Sequence, residues 1–183
     1  MTLGDMKEKV YSLIEEYSED NDDLTEDEDL ALKMNGVINQ IQNELARYKK
    51  IPGYKSLVVK KDEEKLFTDI DSNLYQLNLV RGVNSDTVAN RIIFNEDGTA
   101  KIYYYKYPEQ ITSETDDDFT FELTTDVLEI MPYGVAGDLL KSDVSSQYGT
   151  IYSNRYRELI SQLDFRYGTG FVELEGGVEV WVK

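Results

Sequence analysis

The chain has 183 residues, and its 19 Lys and Arg stand against 36 Asp and Glu, for a formal net charge of −17. That field repels phosphates and argues against an ordinary nucleic-acid binder. The complete lack of His and Cys excludes a Ser-His-Asp triad, a Cys nucleophile, a structural zinc site and a disulfide framework.

Hydrophobic residues at 40% and 14 Tyr are enough for a packed core. The length is that of one domain, or of one core with an inserted subdomain. The first residues turn charged at Asp5, Lys7, Glu8 and Lys9 without the apolar stretch of a signal peptide. No run approaches the roughly 20 apolar residues of a membrane span. The expectation is a soluble chain with no membrane partner, made in a cytoplasm.

Two helices open the chain. Thr2 and Asp5 form a weak capping box, and Met6, Val10, Leu13, Ile14 and Tyr17 recur at helical spacing. Residues 15–29 then hold ten carboxylates and no base, with Thr25-Glu26-Asp27-Glu28 as a second capping box. Leu30, Met34, Val37, Ile38, Ile41, Leu45 and Tyr48 continue an apolar stripe. Lys49 and Lys50 suit the helix C-terminus, and Ile51-Pro52-Gly53 stops it.

From Tyr54 to Thr125 the period becomes alternating. Leu57–Val59, Leu74–Val83, Arg91–Phe94, Lys101–Tyr107 and Phe119–Leu123 read as strands, with Asp97-Gly98 at a hairpin turn. Helical spacing returns at Asp126-Val127-Leu128-Glu129, a capping signal. Pro132 predicts a helix start at Met131–Pro132 or a kink there. Val135, Ala136, Leu139 and Leu140 share one face. Tyr148, Ile151, Tyr152, Tyr156, Leu159, Ile160 and Leu163 mark the next helix, and Gly176-Gly177 marks a closing β-hairpin.

The fold class is therefore α+β: a helical bundle of two N-terminal and two C-terminal helices, 1–53 and 126–168. It is interrupted by a small antiparallel β subdomain, 54–125, and followed by a C-terminal hairpin, 169–183. Two side-by-side domains are the alternative.

The chemistry-bearing patterns are weak. A calcium loop begun at Asp20 fails, because Leu24 and Thr25 fall where an acid and a Gly are needed. Asp116-Asp117-Asp118 are consecutive and do not converge on one ion. Among 36 acids, a glycosidase-like pair is inevitable and uninformative. Gly134-Val135-Ala136-Gly137 lacks the Lys-Ser/Thr of a phosphate loop. Tyr103, Tyr105 and Tyr107 share one strand face, but without basic partners they read as sheet packing rather than a nucleic-acid platform. The reading is of a non-enzyme with no metal and no cofactor.

The terminal strand is the candidate interface. Val178, Val180 and Val182 share a face opposite Trp181, the only Trp. Such an edge is either docked on its own domain or added to another subunit's sheet.

The runs Val37-Ile38-Asn39-Gln40-Ile41-Gln42 and Glu44-Leu45-Ala46 resemble the head–tail connector (adaptor) proteins of tailed bacteriophages. So does Leu128-Glu129-Ile130-Met131-Pro132-Tyr133-Gly134-Val135-Ala136-Gly137-Asp138-Leu139-Leu140, followed by Lys141-Ser142-Asp143. The resemblance spans 1–52 and 126–165, and the β block departs from the all-helical members. It implies a ring, commonly of twelve copies, beneath the portal in the neck of the virion, assembled in the bacterial host cytoplasm. The implied partners are further copies of the chain, the portal protein, downstream neck or tail proteins, and double-stranded DNA that passes without sequence-specific binding. An acidic DNA-mimic inhibitor that binds a basic partner is the alternative. A carboxylate enzyme, which would need a deep pocket with a few perturbed acids, is a further rival.

Overall fold

Thr2 and Asp5 close a reciprocal capping box: Thr2 N donates to Asp5 Oδ2 at 2.8 Å, and Asp5 N donates to Thr2 Oγ1 at 3.1 Å. It starts α1 (Leu3–Glu15), whose Leu3, Met6, Val10 and Ile14 are buried. The computed structural model describes residues 1–15, 28–141 and 147–163. The Thr25 box, most of the acidic run, Ser142-Asp143, Gly168 and the C-terminal hairpin with Val178, Val180, Trp181 and Val182 lie outside the described residues.

The long second helix, α2 (Glu28–Tyr48), buries Met34, Ile38, Ile41 and Leu45. Its 21 residues span about 30 Å. Tyr48, expected in the stripe, is 41% exposed, because it sits in the last turn where the chain leaves for the sheet.

After α4 (Thr125–Leu128), α5 (Met131–Leu140) packs against α1, α2 and α6 (Tyr148–Gln162). The helix starts at Met131, with Pro132 in the first turn where a missing N–H costs nothing. Gly134 and Gly137 let α6 approach. A Cβ at 134 would sit 2.9 Å from the Tyr156 ring, and one at 137 would sit 2.9 Å from the Ser153 backbone nitrogen. One apolar cluster joins side chains of α1, α2, α5 and α6. Ile151, expected in the stripe of α6, is 53% exposed on the opposite side.

The β region holds two three-stranded antiparallel sheets. The first is ordered β1 (Ile51–Val59), β6 (Gly98–Lys106), β3 (Leu74–Arg81). The second is ordered β2 (Glu64–Leu66), β5 (Arg91–Phe94), β4 (Ser85–Val88). Val59, Ala100, Ile102 and Tyr104 of the first sheet form a second apolar cluster with Ile92 and Phe94 of the other and Ile70 of the short helix α3 (Phe67–Ile70).

Three strand expectations are corrected. The stop signal Ile51-Pro52-Gly53 is itself the start of β1; Pro52 is tolerated because β1 is an edge strand. Asp97-Gly98 does not turn a hairpin, since β5 and β6 belong to different sheets. The turn is a crossing between them, held by Lys61 N on Asp97 Oδ1 (2.6 Å) and Asn84 N on Glu96 Oε1 (2.7 Å). Phe119–Leu123 is not a strand. It makes a single bridge, Thr120 to Thr2, and its alternation comes from Phe121 and Leu123 entering the helical core.

β6 continues without a bend into an extended segment that runs back along α2. Arg47 donates to Tyr107 Oη (3.0 Å), Gln42 Nε2 to Glu109 O (2.9 Å), and Asn39 pairs with both backbone groups of Ile111. There the Asn39 amide acts as a piece of strand: Nδ2 donates to Ile111 O at 2.7 Å and Oδ1 accepts from Ile111 N at 2.8 Å. Fully buried Gln42 braces it, its Nε2 donating to Asn39 Oδ1 at 2.8 Å. Two residues separate α2 from β1, and one of them, Lys50, reaches Gln76 of β3, so the first sheet adjoins the C-terminal end of α2.

Asn39→Ala strands an N–H and a C=O of Ile111 together with one bond of Gln42, and it lowers stability by about 2–4 kcal/mol, measured as the urea midpoint at unchanged slope.

Candidate interaction surface

The register of the first sheet sorts its side chains into two faces. Ala100, Ile102 and Tyr104 of β6 point to the apolar cluster, so Thr99, Lys101, Tyr103 and Tyr105 point away from it. Opposite these lie Val58, Ser56, Tyr54 and Pro52 on β1, and Arg81, Leu79 and Gln76 on β3. None of these outward residues is acidic. In a chain with nearly two acids for every base, that is a pronounced local departure.

The face is also apolar. Val58 is 84% exposed, Tyr54 54% and Leu79 41%. Tyr54 and Tyr103 lie ring to ring with centroids 5.2 Å apart. At the end nearest α2, Lys50 Nζ sits 4.6 Å from the Tyr105 ring centroid and donates to Gln76 Oε1 at 3.1 Å. Arg47 covers the Tyr107 ring at 5.7 Å, and Tyr107 stacks on Tyr75, whose hydroxyl donates to Ala46 O.

The tyrosine row thus has the basic companions that the overall charge seemed to deny it. Tyr107 leaves the row at the strand end and bonds to Arg47 of α2. Arg81 lies directly opposite Lys101, and neither makes an ion pair or a side-chain hydrogen bond among the described residues. Like charges facing one another across strands destabilise a sheet.

Behind the face, the Tyr104 ring fills the space over Gly53, where a Cβ would fall 2.2 Å from a ring carbon. Its hydroxyl donates to Asp71 Oδ2 at 2.8 Å. Burial, then the bonded Asp71 carboxylate, pushes this phenol up to about 12.

The helical part offers grooves between its helices. One of about 580 Å3 runs between α2, α5 and α6, past Glu44, Asp138, Tyr156 and Arg157. Burial and the nearby Glu44 carboxylate raise Tyr156 above the ordinary phenol range, and its hydroxyl makes no direct hydrogen bond among the described residues. Asp117, from the acidic triplet, pairs with Lys7 at 2.7 Å, and its carbonyl accepts from Gly4 N in the first turn of α1. Among the described residues no three acidic side chains gather where they could hold a metal ion. No helix of the described residues is long and apolar enough to cross a membrane.

No protein-family model matches the chain, and no curated protein matches it.

A phenol favoured in its neutral form by the fold stabilises the protein below its unfolded pKa and stops doing so as pH rises through the folded one. Stability therefore falls between about pH 10 and 12. Titration of tyrosinate absorbance shows Tyr104 and Tyr156 among the last of the 14 tyrosines to ionise, and Tyr104→Phe removes one late titration.

Proposed function

We propose that the chain is a head–tail connector (adaptor) of a tailed bacteriophage: a non-enzymatic virion protein that forms a ring beneath the portal and gives DNA passage to the tail. In this reading α1, α2, α5 and α6 make the subunit's bundle, and the β region is an insert between its halves. Residues 169–183 dock on a neighbour or the portal by strand addition. Its partners are further copies of itself, the portal protein and downstream neck or tail proteins, in particles assembled in the host cytoplasm.

The observation that carries the reading is the segregation of charge. A closed ring needs two different patches on each subunit that fit one another. Among the described residues this acidic chain holds an exposed, aromatic face without acidic side chains, with Lys101 opposite Arg81. The carboxylates elsewhere suit a lumen that repels DNA rather than grips it.

Negative-stain microscopy of the purified protein, alone and mixed with portal-bearing capsids, shows rings or neck density on the portals. Monomers that ignore capsids yet bind a basic protein in a salt-sensitive manner support the DNA-mimic reading instead. Truncation after Gly168 leaves a folded protein that no longer joins portal-bearing capsids, and Trp181→Ala loses part of that affinity. Unchanged capsid binding by the truncated chain sinks the docking role of the segment.

A further inference from the structure

We infer that the outward face of the first sheet is the receptor for the acidic segment Asp20–Asp29 of a neighbouring copy. The inference rests on the ring reading and names the contact that would build it.

Three observations converge on this pairing. Arg81 and Lys101 are exposed, directly opposed and unpaired among the described residues, an arrangement that an anion relieves. The same face offers Tyr54 and Leu79 as exposed apolar surface, so the occupant should be acidic with an apolar anchor. Residues 20–29 are Asp-Asn-Asp-Asp-Leu-Thr-Glu-Asp-Glu-Asp: seven carboxylates, no base, and Leu24 as the one aliphatic side chain. No ten-residue window outside this acidic run has that density of acid.

In the ring reading the pairing is made between copies. A contact between the segment of one copy and the sheet of the next is head-to-tail, the geometry that closes rings.

Nucleic acid is the other polyanion with an affinity for tyrosines and cations. The net charge of −17 disfavours it, whereas the segment is supplied at ring stoichiometry by the chain itself.

The test is fluorescence anisotropy of a labelled peptide of residues 20–29 titrated with the full-length protein at a concentration where it is monomeric. Binding is expected, with a dissociation constant that rises severalfold between low and physiological salt. Lys101→Glu is the diagnostic variant. It places an opposite charge beside Arg81, so the urea midpoint holds or rises, while peptide affinity falls at least tenfold. Arg81→Glu behaves likewise, and Leu24→Ala in the peptide weakens binding by a smaller factor.

No peptide binding, or equal binding by Lys101→Glu, overturns the inference. So does a labelled oligothymidine that binds this face and displaces the peptide, which would assign the platform to single strands. Peptide binding without rings in the microscope refutes the ring reading and leaves the contact standing. Rings that persist unchanged in Lys101→Glu refute the contact and leave the ring.

Discussion

Asn39 decides where everything after the sheet must go. Its amide replaces the strand neighbour that Ile111 lacks, satisfying both backbone groups of a half-buried stretch that has no sheet of its own. Gln42 supplies the next rung at Glu109, and Arg47 a third at Tyr107. Three side chains on one face of α2 thereby hold an extended strap parallel to the helix axis. The strap fixes the line of β6, β6 fixes the sheet, and the strap's far end delivers Phe121 and Leu123 to the helical core. An apolar side chain at position 39 could pack there too, but it would leave the backbone of Ile111 without partners.

The helices were legible because their apolar residues recur with the period of the element. Met6, Val10 and Ile14, or Met34, Ile38, Ile41 and Leu45, can be buried together only on a helix. Pro132 marked a helix start or a kink, and a start is what forms, because its fixed φ and missing N–H suit the first turn. The β region was legible in kind but not in pairing. Asp97-Gly98 is a sound turn signal, yet a turn dictates only that the chain reverses, not which strand lies on the other side. The strap was misread for a related reason. Phe119, Phe121 and Leu123 alternate, but any extended chain alternates, and what makes a strand is a neighbour.

The tyrosine row shows how net charge misleads about a surface. Summed over the chain, the field is strongly negative. Summed over the outward positions of one sheet it is positive, because pairing brings Arg81 and Lys101 together from stretches twenty residues apart and leaves the acids on other elements. Sequence order does not show such a patch, since the neighbours on a sheet face are set by register. Lys50 and Arg47 add to it from a helix that reads as a separate element.

Tyr152 of α6 donates its hydroxyl to Leu13 O of α1 across 139 positions of sequence. The helical core is thus stitched from the two extremes of the described chain, whereas the cluster between the sheets draws only on residues from Val59 to Tyr104 and their immediate neighbours. On a ribosome the sheets have all of their partners well before α6 emerges. The helices α1 and α2 meanwhile present the unburied apolar stripes of Met6, Val10, Met34 and Ile38. Loop closure makes that last step the slow one, so the newborn chain spends its most adhesive interval with its β part already built, and the acids that crowd residues 15–29 flank the stripes that most need keeping apart.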